Sequence, residues 1–328
     1  MPAPVVVAEI VRSGFVEGHH YGSVVALDPD GSVTYAVGDV SSPVLARSCN
    51  KPLQAVGMLR AGLELDGELL ALACASHSGE PFHIEGVRRI LAGAGLDESA
   101  LQTPADYPLD DDAREAVIRA GGRKAPVLMN CSGKHAAMLA TCVLNGWDLS
   151  TYLDPEHPLQ RRITETFTDL TGEPAAVAVD GCGAPQHSAS LVGLARAFAR
   201  IATAGLDELD HRSPERLVAE AIRAHPAYVS GTTRDERSLL EAIPGAIGKA
   251  GAESSHAMAL PDGRSFALKH DDGAPRVRPV TLAALLRLLG VDEEPGVDTA
   301  AVRRTGELAL FGGGRQVGEI RAALPPRR

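Results

Sequence analysis

The chain has 328 residues, of which 45% are hydrophobic and 23% are charged, and its formal net charge at pH 7 is −10. This composition is that of a globular protein long enough to bury a sizeable core. A nucleic-acid-binding surface needs clustered lysine and arginine, and the sequence contains no such block, so nucleic acid is not expected as a partner. The sequence also has no run of about 18 apolar residues, so no membrane-spanning helix is predicted and a membrane is not expected as a partner.

The N-terminus and the cysteines indicate the expected location. The first residues lack the basic segment and the longer apolar run of a secretory signal. The cysteines are odd in number, and in a chain of this length they do not form a disulfide scaffold. They are Cys49, Cys74, Cys131, Cys142 and Cys182. A reducing cytoplasm is therefore the expected setting.

Strands are predicted near both ends of the chain. Two valine-rich segments flank the Pro-Asp-Gly turn at 29–31, which predicts a hairpin. After residue 245 the pattern returns to short β-like segments. The predicted strands cover 5–12, 22–27, 32–37, 245–249, 256–260, 265–270 and 316–322.

Helices are predicted between these two β regions, because apolar residues there recur at helical spacing. They cover 48–60, 80–94, 110–120, 134–144, 158–170, 188–203, 214–224 and 234–242, with one more at 280–289. The apolar run at 175–179 is instead predicted to be a buried strand. We expect one unit of α/β fold, of the α+β type, over 1–328. A mostly antiparallel sheet would come from 1–47 and 245–328, and a helical region from 48–244.

Ser48 and Lys51 form an S-x-x-K pair, a spacing that places a hydroxyl and an amine on one face of a helix. A serine hydroxyl is a weak nucleophile that needs a neighbouring base. A lysine can supply that base when burial, a helix N-terminus or a second cation favours its neutral form. A serine at a helix start is nevertheless more often a cap than a nucleophile.

Two further segments add chemical context to this pair. Ser76, His77 and Glu80 lie in a polar cluster after an apolar stretch, and Lys249 lies in a K-x-G sequence on a predicted strand. Acyl-serine enzymes of the β-lactamase and penicillin-binding type combine these three elements. Helix capping by Ser76 and a solvated strand position for Lys249 are the structural alternatives.

A second cluster contains two thiols. Cys131 precedes a predicted helix, and Cys182 follows the apolar run at 175–179. Two thiolates suit zinc or a similar ion, but a third ligand is needed. Lys134, His135, Asp180 and His187 are available. Spacing favours a histidine because a ligand must be deprotonated, while buried free thiols or one disulfide between the two cysteines are the alternatives.

Taken together, the motifs resemble the L-asparaginase II family, the Rhizobium-type asparaginases. The resemblance extends over nearly the whole chain. It is carried by segments 12–19, 46–55, 74–80, 130–136, 180–183 and 248–253. The family is similar in fold to serine β-lactamases and glutaminases, which implies a β-lactamase-like fold here. The sequence departs from the family where Glu253 is followed by Ser254-Ser255, since the family more often has glycine first.

The resemblance also implies roles for individual residues. Ser48 would be the nucleophile and Lys51 its base, with Ser76 and Lys249 as a second serine–lysine pair. Zinc would be held by Cys131, Lys134 and Cys182 with a water molecule, so the resemblance favours lysine over histidine. The residues expected to bind substrate are Arg47, His77, Glu80, Asn130, Asp180 and Gly251.

The implied activity is hydrolysis of the side-chain amide of L-asparagine to L-aspartate and ammonia through an acyl-enzyme, in a homodimer. The alternatives are a β-lactamase-like or penicillin-binding-like acyl-serine hydrolase, a non-catalytic zinc-binding relative, and glutaminase activity.

Overall fold

The computed structural model describes residues 4–205 and 212–327. The strands are β1 (Val6–Arg12), β2 (Phe15–Leu27), β3 (Val33–Val37), β4 (Val44–Leu45), β5 (Val177–Val179), β6 (Pro185–Ala189), β7 (Ile247–Gly251), β8 (Ser255–Ala259), β9 (Ser265–His270), β10 (Leu308–Gly312) and β11 (Arg315–Ala322). Eight of them form one sheet, in which β10-β11-β1-β2-β9-β8-β7 lie side by side and β3 also pairs with β2. A small second sheet has the order β4-β6-β5.

The large sheet is antiparallel throughout, and it joins strands from the two ends of the chain. This confirms the predicted sheet, including the hairpin of β2 and β3. The strand β7 lies at one edge and β2 at the centre, between β1 and β9. The K-x-G sequence predicted on a strand is therefore at the sheet edge, with β8 as its partner.

The helices are α1 (Lys51–Arg60), α2 (Gly67–Ala73), α3 (Pro81–Gly93), α4 (Asp111–Arg119), α5 (Ser132–Asn145), α6 (Pro158–Thr171), α7 (Leu191–Thr203), α8 (Pro214–Ala224), α9 (Pro226–Val229), α10 (Asp235–Ala242), α11 (Val277–Leu288) and α12 (Thr299–Thr305). Short 3₁₀ turns cover Arg47–Asn50, Glu98–Ala100, Pro126–Leu128 and Val291–Glu293. Within the described ranges, no helix is long and apolar enough to cross a membrane.

Helix α1 lies in the centre of the core and carries the first lysine with it. Its residues from Lys51 to Leu59 are all buried. A helix buried on every side has no polar face to direct outward, so its few polar groups must find partners inside the protein. Gly57 allows close packing on α6, because a Cβ atom there would lie 3.1 Å from the Cα atom of Ile163.

Near the small sheet, two sequence predictions are wrong in part. The helix predicted from residue 188 begins at Leu191, because Ser188 and Ala189 pair with β4 as part of β6. The strand predicted at 175–179 forms as β5 but is not buried, since Val179 is 77% exposed. It lies at the edge of a three-stranded sheet, which leaves its side chains in solvent.

Buried histidines make the fold sensitive to acid. Burial lowers the pKa of four histidines below the ordinary value of 6.5. The pKa is about 4 for His83, His187 and His270, and about 3 for His256. The unfolded chain binds these protons at a higher pH than the folded one, so the stabilisation is fully present above pH 6.5 and is lost as the pH falls toward 4. We expect each histidine to contribute on the order of 3 kcal/mol to this loss.

Urea unfolding measured at intervals between pH 7 and pH 4 tests the expected loss. His256→Leu should weaken the pH dependence, because this side chain is buried and neither ring nitrogen has a partner in the described part of the chain. His19→Gln is the matched control at an exposed position and should retain the full dependence. A free energy of unfolding that stays constant over this range would contradict the expectation.

Candidate active site

One cavity of about 370 Å³ brings together most of the predicted site residues. It lies where the 3₁₀ turn before α1, the end of β7 and the start of α11 meet the loops before α5 and β6. The residues that line it are Arg47, Ser48, Ser76, Leu109, Met129, Asn130, Cys131, Asp180, Gly181, Cys182, Arg234, Ala250, Gly251, Ala252, Pro275 and Arg278.

Ser48 lies in the 3₁₀ turn Arg47–Asn50, and Lys51 is the first residue of α1. In a 3₁₀ turn, residues three apart lie above one another, which directs both side chains to one side. Ser48 is half-buried on the cavity wall, and its hydroxyl makes no hydrogen bond to any described residue. It is thus a free hydroxyl facing a solvent-accessible cavity. The turn requires a left-handed backbone at Arg47, where φ is 53°.

The Lys51 side chain reaches the second serine. It is 1% exposed, and its Nζ donates to the carbonyl of Ala75 at 2.5 Å and to Oγ of Ser76 at 2.9 Å. Ser76 itself lines the cavity. A buried amine therefore lies directly behind a hydroxyl on the cavity wall.

Lys249 has a different partner from the one that the resemblance implies. Its Nζ donates to both carboxylate oxygens of Glu236, at 2.8 and 3.1 Å, and no hydrogen bond to Ser76 is found among the described residues. Burial lowers the pKa of Lys249. The negative charge of Glu236 acts to raise it, and the positive charge of Lys51 lowers it further. The structure thus places Lys249 in a buried ion pair close enough to Lys51 for the two amines to influence each other.

His77 and Glu80 lie outside the cavity lining. The Nε2 of His77 is 2.8 Å from Oγ of Ser132, and its backbone N–H donates to the carbonyl of Asn130 at 3.1 Å. Glu80 accepts hydrogen bonds from Thr232, at 2.9 Å from the backbone N–H and 2.6 Å from the hydroxyl. In this structure His77 supports the cavity wall from behind, and Glu80 holds the loop before α10.

The two predicted metal-binding cysteines come together beside the cavity. One ligand atom from each of Cys131, Cys182 and Asp180 lies within 4.8 Å of the others. Lys134 Nζ is 3.1 Å from the sulfur of Cys182. Burial opposes the Lys134 ammonium, but the sulfurs of Cys182 and Cys131 outweigh this and raise the pKa of Lys134. The neighbouring Cys131 thiol, together with Lys134, lowers the pKa of Cys182 despite its burial.

These residues fit a zinc site. All five cysteines are free, so no disulfide uses the two thiols. The two sulfurs and the Asp180 carboxylate lie together, a donor set that suits a borderline-soft ion, and Lys134 beside Cys182 would have to lose its proton to join them. Of the histidines favoured from spacing, His187 bonds to the Thr164 hydroxyl through Nε2 at 2.8 Å. His135 bonds to the Tyr152 hydroxyl through Nδ1 at 2.7 Å, and after Cys131 and Lys134 it also helps to lower the pKa of Cys182, so it lies beside this cluster.

Arg47, Asp180 and Gly251 shape the cavity rim. Asp180 accepts from Nε of Arg47 at 3.0 Å, and Glu253 lies 3.6 Å from the same guanidinium. Gly251 allows β7 to approach the serine turn, because a Cβ atom there would lie 2.9 Å from the carbonyl of Ala46 and 3.2 Å from the sulfur of Cys49. These residues fix the position of Ser48 relative to the sheet edge.

The sequence analysis missed three residues at the site, namely Glu236, Arg234 and Arg278. Glu236 pairs with Lys249, and the two arginines line the cavity. Arg234 and Glu236 belong to a charged run at 234–237 that opens a predicted helix, where a solvated helix start is the ordinary interpretation. No spacing rule connects that run to a strand lysine or to a serine almost 190 residues earlier.

The cavity combines a free serine hydroxyl, a buried amine and a cluster of two thiols and a carboxylate, an arrangement that suits an enzyme hydrolysing amides. A family model described as L-asparaginase II matches residues 8–322. The chain therefore belongs to the L-asparaginase II family, and it is an amidohydrolase.

Similarity to known structures is limited to the fold. A β-lactamase from Mycobacterium bovis has 15% identity and a TM-score of 0.46, with 81% of this chain and 94% of that chain covered. A Bacillus glutaminase crystallised with 4.3 M NaCl has 11% identity and a TM-score of 0.45, with 84% and 91% covered. The chain has no significant match among curated proteins.

Proposed function

We propose that this protein hydrolyses the side-chain amide of L-asparagine to L-aspartate and ammonia, with Ser48 as nucleophile and Lys51 as its base. The observation that supports this most is the buried amine of Lys51, 2.9 Å from Oγ of Ser76, behind a cavity that also presents the free hydroxyl of Ser48. Membership of the family supports the choice of asparagine as substrate.

The contacts of Lys51 suit a base. A neutral amine has two N–H donors and one lone pair. In a neutral Lys51 the carbonyl of Ala75 and the hydroxyl of Ser76 would take up these two donors, and the lone pair would accept the proton of Ser48, although no hydrogen bond joins Lys51 to Ser48 among the described residues. The serine oxygen then bonds to the amide carbon, the C–N bond breaks, and nitrogen leaves as ammonia with the transferred proton. Water cleaves the resulting ester, which yields aspartate and restores the serine.

We further propose that zinc binds Cys131, Lys134 and Cys182, with Asp180 beside them. When bound, the metal would supply a positive charge that attracts an oxygen or nitrogen of the substrate. Holding substrate is the role that fits best, because Ser48 already supplies the nucleophile. Asp180 would link the metal site to Arg47, with which it is paired at 3.0 Å.

Cys182→Ser is expected to lower bound zinc by at least about tenfold and to raise KM for asparagine, because it removes a soft ligand from a buried site. Elemental analysis of the purified protein measures the metal, and Cys142→Ala is the matched control, since Cys142 is buried in α5. Full zinc content in the Cys182 variant would contradict the assignment.

Ammonia release from L-asparagine and L-glutamine, measured with and without a chelator, tests the proposed function. We expect turnover of asparagine and a loss on chelation. The two substrates differ by one methylene, which a pocket separates by only ~1–3 kcal/mol, so glutamine turnover at a lower rate is compatible with the proposal. Turnover of a chromogenic β-lactam with none of asparagine would favour a β-lactamase-like hydrolase instead. Zinc binding with no amide turnover would indicate a non-catalytic relative.

The proposed cellular location is the cytoplasm, and the proposed assembly is a homodimer. The five free cysteines support a reducing cytoplasm. The homodimer implied by the family resemblance stays a prediction, which light scattering on the purified protein tests.

A further inference from the structure

The charged side chains that line the cavity are unbalanced. Three of them are arginines, at positions 47, 234 and 278, and the fourth is Asp180. Arg47 is already engaged, because Asp180 accepts from its Nε at 3.0 Å and Glu253 lies 3.6 Å away. Asp235 pairs with Arg278 from outside the cavity lining, and no carboxylate in the described ranges pairs with Arg234, so guanidinium donors remain on the wall for a bound anion.

Arg278 is the better placed of these two. It is only 5% exposed, and both of its hydrogen bonds leave from Nη2, to the two carboxylate oxygens of Asp235 at 2.8 and 2.7 Å. Its Nε is buried and has no hydrogen-bond partner among the described residues. Leaving such a donor unpaired costs free energy, and a ligand that accepts from it recovers that cost.

The position of Arg278 in the fold also favours binding of an anion. It is the second residue of α11, whose positive N-terminal end also favours an anion. Asp235 holds the side chain in place, so little conformational entropy is lost when a ligand binds. Arg234 is half-buried, and no residue in the described ranges holds its guanidinium, so ordering it costs more.

We propose that Arg278 binds the α-carboxylate of the substrate with guanidinium N–H groups that Asp235 leaves free, and that it sets the specificity for amides carrying a carboxylate. This inference rests on the proposed hydrolysis of an amino-acid amide. Asp235 is a positioning residue in this arrangement, since it touches Arg278 and does not line the cavity.

The test compares three amides that differ only in the groups at the α-carbon. L-asparagine carries both groups, succinamate lacks the amine, and 3-aminopropanamide lacks the carboxylate. Arg278→Met should lower kcat/KM for the first two by about 10- to 150-fold, mainly through KM, and should change it less than about threefold for the third. Arg278→Lys keeps the charge without the planar donors and should give an intermediate loss.

Two further variants separate this role from alternatives. Arg234→Met removes the same charge from the cavity wall and should lower kcat/KM by less than about fivefold for every amide. The double variant Arg278→Met with Asp235→Leu leaves no unpaired carboxylate, so it should fold normally and show the same substrate pattern. An equal loss for all three amides, or a larger loss in the Arg234 variant, would overturn the assignment.

Binding to an inactive protein distinguishes this inference from the proposed reaction. Calorimetric titration of L-asparagine into Ser48→Ala should show binding that disappears when Arg278→Met is added. If the wild-type protein releases no ammonia but this binding pattern is observed, the reaction is wrong and the carboxylate site stands. Binding that persists when Ser48→Ala is combined with Arg278→Met would overturn the carboxylate site. An absence of binding together with an absence of turnover would also overturn it.

Discussion

Ser48→Ala is expected to lower kcat for ammonia release from L-asparagine by about 10⁴-fold or more, because no acyl bond can form without the hydroxyl. The fold should be unaffected, since that hydroxyl makes no hydrogen bond to any residue in the described ranges. The free energy of unfolding should therefore change by less than ~0.5 kcal/mol. A coupled assay for ammonia measures the activity, and urea unfolding measures the stability.

Ser265→Ala is the matched control for this variant. Ser265 is fully buried at the start of β9, and its hydroxyl has no hydrogen-bond partner within the described part of the chain. Removing it should leave activity unchanged and stability equal or slightly higher. Near-normal turnover in the Ser48 variant would move the nucleophile to Ser76, the other serine on the cavity wall. Mass spectrometry of the protein mixed with asparagine would then show the aspartyl group on Ser76.

Lys51 provides a check on whether the serine and the lysine act together. If Lys51 is the base of Ser48, Lys51→Met should cost about as much activity as Ser48→Ala, and the double variant should be no worse than either single one. Independent, multiplying losses would show that the lysine serves only to support the cavity wall through Ala75 and Ser76.

The sequence predicted local elements well where one strong pattern determined them. The helix at 214–224 and the strand at 265–270 have the predicted bounds. The segment at 185–189 was harder, because its polar residues look solvated but are buried as a strand. Gln186 donates to the carbonyl of Arg47, and Nε2 of His187 bonds to the Thr164 hydroxyl, so these polar groups find partners inside the protein.

The site could be predicted only as far as its own motifs extend. Segments 48–51 and 249–251 were found from their S-x-x-K and K-x-G motifs, and the structure brings Ser48 and Gly251 to one cavity. The side-chain partners could not be found, since they depend on which elements pack together. Glu236 reaches Lys249 from α10, and Arg278 reaches the cavity from α11. Glu80 shows the reverse case, a motif residue whose side chain contacts Thr232 and not the cavity.

Removal of Glu236 is expected to have the largest effect on stability. Its carboxylate is 1% exposed, accepts twice from Lys249, and accepts from the backbone N–H of Ala250 at 3.1 Å. Glu236→Ala would leave the buried ammonium of Lys249 without a counter-ion, which typically costs 3–5 kcal/mol. Urea unfolding measures this loss, and Glu241→Ala is the matched control. Glu241 lies on the same helix in an exposed pair with Arg237, where a loss of at most ~1 kcal/mol is expected.

The pH dependence of this loss identifies its cause. Without Glu236, burial holds the pKa of Lys249 further below its ordinary value of 10.5. The charge penalty is therefore largest near neutral pH, where the unfolded chain keeps the proton, and it disappears as the pH rises toward 10.5. The double variant Glu236→Leu with Lys249→Met should recover most of the stability at pH 7, because neither charge remains. A Glu236→Ala loss that is constant with pH, or a double variant less stable than the single one, would show that the carboxylate acts through packing and its bond to Ala250.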